Sequence, residues 1–281
     1  INKGANKIIG PLQPESLQQI RQLAGQEMLA LNRIEDADFF QFSLKSSDEI
    51  SQLIAGMSAL GERHVGVISS SQPSDLEFAY AFRKAWLEHP NHLLEIYQSK
   101  ETQRQLRQQL GSLMNETLSQ ARAKKLRRLV EKFDSESRTR HDLDAILFID
   151  RPHNVAVYNP QLTFYQSPVN VYGTTNLVAK TADSANAKQD FKNIRLVTPP
   201  FSIEPNHLDN IFQAFGWDSY WVSYYLDELK QGYCLNISQT GKLSLEDNRV
   251  RQQLIWGQFD KMGQLMASPI FIASDEDINK T

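Results

Sequence analysis

Short apolar runs alternate with amphipathic stretches along the first hundred residues. Lys7-Ile8-Ile9 is stopped by Gly10-Pro11, which predicts a buried strand and a turn. Leu17, Ile20 and Leu23 recur at helical spacing after Pro14, so a helix is expected over 14–23. Met28–Leu31 and Phe39–Leu44 read as extended. Ser46-Ser47-Asp48-Glu49 offers capping hydroxyls and acids suited to the positive end of a helix, expected over 48–60 with Gly61 past its end. His64–Ile68 is a strand and Ser69–Ser74 a polar loop. A helix over 75–87 stops at His89-Pro90-Asn91, and Leu93–Tyr97 is the next strand. Near-continuous apolar strands alternating with helices predict an α/β fold with a parallel sheet covered on both faces.

The rhythm breaks over 101–140, a stretch rich in Gln, Arg, Lys, Glu and Ser that predicts one or two exposed helices. Its stretch from Ala121 to Lys132 holds six basic residues and one acid, Glu131. Strands resume at Asp144–Ile149, Val169–Tyr172 and Ile194–Val197. Between them lie a helix over 154–165, weakened by Pro160, and a polar loop over 174–192. Two helices are expected over 207–215 and 218–230, the second placing Trp221, Tyr225 and Leu229 on one face. The tail reads as short strands at 234–237, 242–245, 252–259 and 269–272, followed by a polar terminus.

Composition narrows the function more than it names it. The chain has 281 residues, 30 basic and 33 acidic, for a net charge of −3. A protein that grips phosphates is usually far more basic, so nucleic acid is not the expected partner. The single cysteine, Cys234, cannot form an internal disulfide or a multi-cysteine zinc site. No apolar run reaches the roughly 18 residues of a membrane helix. Neither a Gly-rich phosphate loop nor a GxSxG elbow occurs. Ser69-Ser70-Ser71 reads as capping residues of a strand-to-helix loop, because no histidine base lies nearby in sequence. His89 and His92 straddle Pro90 and cannot share a helix face, and Asp142 and Asp144 read as a solvated strand edge. The expectation is no metal, no cofactor and no catalytic residue. Two surface features stand out. One is the basic run, with Arg122, Lys124, Arg127 and Arg128 as candidate partner contacts. The other is the aromatic cluster Phe215, Trp217, Tyr220, Trp221, Tyr224 and Tyr225, with Trp217 and Trp221 as candidate anchors.

Several segments together carry a resemblance. Gly4–Leu12 (GANKIIGPL) resembles the GP-containing segment of type I periplasmic-binding-protein folds, and Met28–Asn32 (MLALN) the strand that follows it. Phe40–Leu44 with Ser47-Asp48-Glu49, Asp144–Leu147, Val171–Thr175, Phe215–Tyr220 and Leu254–Phe259 continue the pattern in order. In this order they are similar to the C-terminal domain of LppC/LpoA-type lipoproteins, activators of penicillin-binding proteins.

That resemblance implies a two-lobed type I periplasmic-binding-protein-like fold, parallel sheets flanked by helices, with the first lobe N-terminally incomplete. Lobe 1 is expected over 1–44 and 204–233, lobe 2 over 45–203 and 234–273, and a tail over 274–281. The implied function is non-catalytic: binding a bifunctional penicillin-binding protein and stimulating peptidoglycan synthesis. The implied location is the periplasm, with the outer membrane reached through a lipid anchor outside this chain. The alternative is a periplasmic solute-binding protein closing on an amino acid or peptide. Its cleft would involve Gln13, Asn32, Ser70 and Tyr172, near the C-terminal ends of strands. Solute-binding relatives carry Ser or Thr at the first two of these turns, where this chain has Leu12-Gln13-Pro14 and Asn32-Arg33.

Overall fold

A computed structural model describes residues 7–21, 28–35, 37–44, 46–100, 102–115, 124–125, 140–164, 169–181, 188–203, 208 and 210–268. The expected strand over 269–272 lies outside them. The chain divides into two compact units, one of residues 1–52 and 198–255, the other of 53–197 and 256–281.

The elements run β1 (Ile8–Ile9), α1 (Pro14–Ile20), β2 (Met28–Ala30), β3 (Phe40–Gln41), α2 (Ser46–Ala59), β4 (His64–Ser69), α3 (Pro73–Trp86), β5 (Leu93–Gln98), α4 (Gln103–Leu113) and β6 (Ala145–Ile149). They continue with α5 (Pro152–Phe164), β7 (Asn170–Gly173), α6 (Asn176–Thr181), β8 (Arg195–Thr198), α7 (Ile211–Tyr224), α8 (Leu226–Lys230), β9 (Lys242–Glu246), β10 (Arg249–Gln253), β11 (Ile255–Phe259) and β12 (Leu265–Ala267). Short 3-10 turns fall at Lys188–Phe191 and Pro200–Ser202.

The first unit holds a five-stranded sheet in the order β1-β2-β3-β10-β9. Its first three pairings are parallel, and β10 closes on β9 as an antiparallel hairpin. The turn of that hairpin, Asp247-Asn248, takes positive φ at both residues, a conformation Asp and Asn tolerate best after glycine. Leu29, Phe40, Phe42, Phe215, Val222, Leu226, Leu229, Leu243 and Val250 form its core. The apolar run at Ile8-Ile9 is not buried as expected. It is the sheet's edge strand, with the two side chains 36% and 43% exposed, because an edge strand has only one flank covered.

The second unit is built on a seven-stranded sheet, β12-β11-β8-β7-β6-β4-β5. Strands β5, β4, β6, β7 and β8 are all parallel. All five residues of β6 are buried, as a parallel strand covered on both faces requires.

Four expectations need correction. The segment 101–140 does not give only exposed helices: Leu106, Leu110 and Leu113 of α4 are at most 2% exposed, and three spaced leucines bury a face that the polar composition hides. The stretch 174–192 is not all loop, since it contains α6 and a 3-10 turn. Helix α7 runs through Gly216, and the break before α8 falls at Tyr225. Residues 234–255 do not join the second unit, because β9 and β10 pair with the first sheet through β3.

Candidate functional site

Helix α7 is the most distinctive surface element of the first unit. Asn210 caps it, its side chain accepting from Phe212 N at 3.0 Å and Gln213 N at 3.1 Å, which satisfies two of the free N–H groups of the first turn. Its inner side carries Ala214, Phe215, Asp218, Ser219, Val222 and Ser223. Phe215 packs on Phe42 with ring centroids 4.7 Å apart. Asp218 is fully buried and accepts from Gln239 N at 2.8 Å, and from both the backbone N and the hydroxyl of Thr240 at 2.6 Å. Burial raises its carboxyl, and the Thr240 and Gln239 hydrogen bonds offset part of that rise. The inner side is thus fixed both by packing and by a buried polar clamp.

The outer side is different. Trp217, Tyr220 and Tyr224 are 51%, 56% and 60% exposed, and Phe212 at the helix start is 69% exposed. With half-buried Trp221, the residues 217, 220, 221 and 224 follow the i, i+3, i+4, i+7 spacing of a single stripe. Trp221 sits at its centre, with ring centroids 6.2 Å from Trp217, 5.3 Å from Tyr220 and 5.9 Å from Tyr224. The only charged residue within α7 is the buried Asp218, so the stripe carries no charge. Lys7 Nζ donates to Ser223 O at 2.7 Å, tying the start of β1 to the end of α7. Large aromatic rings on a helix whose inner face is already packed have no fold role on the outside. Trp and Tyr are the residues that most often anchor protein contacts.

Of the expected anchors, Trp217 is exposed as a docking residue must be, and Trp221 supports it from below. Phe212, Tyr220 and Tyr224 complete the surface. Tyr220 and Tyr224 were legible from the same helical spacing, whereas Phe212, near the helix cap, falls outside that repeat. Lys124 is exposed; Arg122, Arg127 and Arg128 lie outside the described residues.

The four candidate cleft residues do not form one set. Gln13 is exposed ahead of α1. Asn32 donates to Leu12 O at 2.8 Å and accepts from Arg33 N at 2.8 Å, so it braces a turn of its own unit. Ser70 is buried, its hydroxyl donating to Asp75 and accepting from Gln72 N at 3.0 Å. Tyr172 cannot line a cleft: it is 0% exposed and donates to Glu62 at 3.1 Å, inside the second unit.

His64, Glu95 and Asp142 bring ligand-type atoms within 4.8 Å of one another. The Arg140 guanidinium bonds both carboxylates, with Nη1 to Glu95 and Nη2 to Asp142 each at 2.8 Å, so the cluster is an ion-pair network. Hydrogen bonds from Arg140 hold the Glu95 carboxyl down at about 2. Asp144 is not a bare edge carboxylate either, since it accepts from the backbone N of Arg63 and of His64 at 2.8 Å.

The model of one family, described as "LppC putative lipoprotein", matches residues 1–262. The chain belongs to that family. Among solved structures, the C-domain of LpoA (YraM) from Haemophilus influenzae, a regulator of PBP1A, superposes with a TM-score of 0.66 at 18% identity, over 95% of this chain and 83% of that one. Full-length LpoA from the same organism gives 0.67 at 18% identity over 95% of this chain, which spans only 49% of it. A "putative branched-chain amino acid ABC transporter" protein from Chromobacterium violaceum gives 0.66 at 19% identity, over 92% of this chain and 81% of that one. At such identities these likenesses establish the fold. No protein of curated function matches the chain. Among the described residues, no helix of this LppC-family chain is long and apolar enough to cross a membrane.

Proposed function

We propose that this LppC-family chain is a non-catalytic regulatory domain of a periplasmic lipoprotein held at the outer membrane. It binds a bifunctional penicillin-binding protein and raises its rate of peptidoglycan synthesis. The observation that carries the reading is the uncharged Trp/Tyr stripe on the outer side of α7, exposed and rigidly backed. Family membership supports the lipoprotein part of the reading, and the class of partner is carried over from the LpoA C-domain, a regulator of PBP1A whose fold this chain shares.

Activation requires that the synthase's active state bind this surface better than its inactive state does. A few aromatic anchors can supply most of such a contact's energy. Trp217 and Trp221 are the proposed core of the contact, flanked by Tyr220 and Tyr224. The basic residues Arg122, Lys124, Arg127 and Arg128 are a second, electrostatic contact that would mainly speed association. A hydroxyl nucleophile is not part of the reading, since Ser70 is buried and committed to Asp75 and the backbone of Gln72.

The test is glycan polymerisation by a purified bifunctional penicillin-binding protein of the same organism, with and without the full-length lipoprotein. Faster polymerisation with the intact protein, lost when Trp217 and Tyr224 are both changed to Ala, supports the reading. An unchanged rate with saturating intact protein overturns it.

A further inference from the structure

The second sheet ends on one side in β5, and that edge differs from the other three. An edge strand presents unpaired N–H and C=O groups. Folded proteins shield such edges by shortness, by lysine or proline, by a bulge or by a cover. The edge strands β1 and β12 have only two and three residues. Strand β9 is covered by Leu235, which exchanges hydrogen bonds with Leu243 at 2.8 and 2.9 Å, and it begins with Lys242. Strand β5 has none of these guards. Its six residues, LLEIYQ, contain no lysine or proline and pair one-to-one with β4.

The hydrogen bonds show which backbone groups are open. Leu93 N donates to Arg63 O at 2.8 Å and Ser99 N to Ser69 O at 2.7 Å, so the odd-numbered residues turn toward β4. By the alternation of a strand, Leu94, Ile96 and Gln98 turn their N–H and C=O outward. Gln98 O accepts from Gln109 Nε2 at 2.7 Å. Among the described residues, no hydrogen bond reaches the outward groups of Leu94 or Ile96. The one charged residue of the strand, Glu95, is bonded by Arg140 Nη1 at 2.8 Å and lies 3.0 Å from His64 Nε2. The edge therefore carries no unpaired charge to repel a neighbour.

We infer that β5 pairs antiparallel with the β5 of a second copy of this chain, about a twofold axis at Ile96. An antiparallel strand is its own complement, so a twofold pair satisfies the same open groups on both copies. Two registers bring those groups together. One, centred on Glu95, sets that carboxylate opposite its own copy, and like charges directly opposite are destabilising. The other, centred on Ile96, exchanges both Ile96 bonds between the copies and joins Leu94 to Gln98. It also sets Glu95 opposite a tyrosine, Tyr97 of the second copy, so charge selects this register. The pairing uses up the edge on each copy and therefore closes at two. One six-residue strand spans about 20 Å and covers less than the roughly 800 Å² per partner of a standard interface. The dimer is accordingly reversible and concentration-dependent.

The test is sedimentation equilibrium of the full chain over about a hundredfold range of concentration, with amide hydrogen exchange at both ends of the range. A monomer–dimer equilibrium is expected. The Leu94 and Ile96 amides should exchange slowly at the high end and fast at the low end, while those of Glu95 and Tyr97 stay slow throughout. Ile96→Pro removes an outward N–H and leaves the ladder to β4 intact, a change an edge strand tolerates. It should weaken dimerisation at least about tenfold. If Ile96→Pro does not fold, Leu94→Lys carries the same expectation, because lysine guards natural edges. Trp217→Ala/Tyr224→Ala, in the other unit, should leave dimerisation unchanged. A monomer at every concentration, a dimer undiminished in a folded edge variant, a dimer lost in the α7 variant, or slow Leu94 and Ile96 exchange in the monomer would overturn the inference. None of these outcomes depends on whether the chain docks a synthase.

Discussion

Tyr172 and Tyr224 carry the same ring in opposite settings. Tyr172 lies inside the second unit with its hydroxyl on Glu62, and its ring meets Trp256 edge-on at 6.3 Å. Burial raises its phenol's pKa, with the Glu62 carboxylate adding to the effect. Burial likewise raises Glu62, and hydrogen bonds from Asn170 and Tyr172 offset it. Tyr224 lies 60% exposed on a stripe of other aromatics. Residue type alone therefore says little. An aromatic whose polar tip has a buried partner belongs to the fold, and an exposed one that rests on half-buried rings is available to a partner.

This contrast predicts a graded series of effects. The largest is Tyr172→Ala, which opens a cavity and strips Glu62 of a donor, and should cost about 3–5 kcal/mol in urea unfolding. A cost below about 1 kcal/mol would break the contrast at its buried end. Asp218→Ala comes next at about 2–4 kcal/mol, because it removes the buried carboxylate that accepts from Gln239 N and Thr240 N on the inner side of α7.

The Arg140 network should be worth less, about 1–2 kcal/mol after allowing for its partial exposure. Its pH dependence has a definite sign. Glu95 in the fold sits at about 2, below its ordinary 4.5, so its contribution is complete above that ordinary value and is lost as pH falls toward 2. The stability gap between wild type and Arg140→Gln should therefore be full at neutral pH and shrink steadily below about 4.5. A gap that stays constant through acid would remove the network from the account. The smallest effect is on the outer face, where Trp217→Ala or Tyr220→Ala should change stability by no more than about 0.5 kcal/mol.

Much of this architecture was legible in the sequence wherever one signal dominated. The strand at Ala145–Ile149 is a pure apolar run, and α2 is framed by acids in its first turn and Gly61 beyond its end. Where two signals competed, composition misled. In α4, Gln and Arg outnumber the leucines that decide its burial. At Gly216 and Pro160, residues that usually break helices sit exposed inside α7 and α5, whose other residues pack into the two cores. The segment 252–259 reads as one strand, yet it is β10 and β11, in different sheets. Pairing between strands distant in sequence is not encoded in local periodicity. The aromatic stripe was readable from helical spacing, but which rings face outward depends on what α7 packs against.

The most direct test of the central claim is the affinity of a purified bifunctional penicillin-binding protein for the wild-type chain and for a Trp217→Ala/Tyr224→Ala double variant. Both should be compared at equal thermal stability. The account predicts binding at least about tenfold weaker in the variant, as the loss of two interface anchors requires. Equal affinity in a correctly folded variant would contradict it.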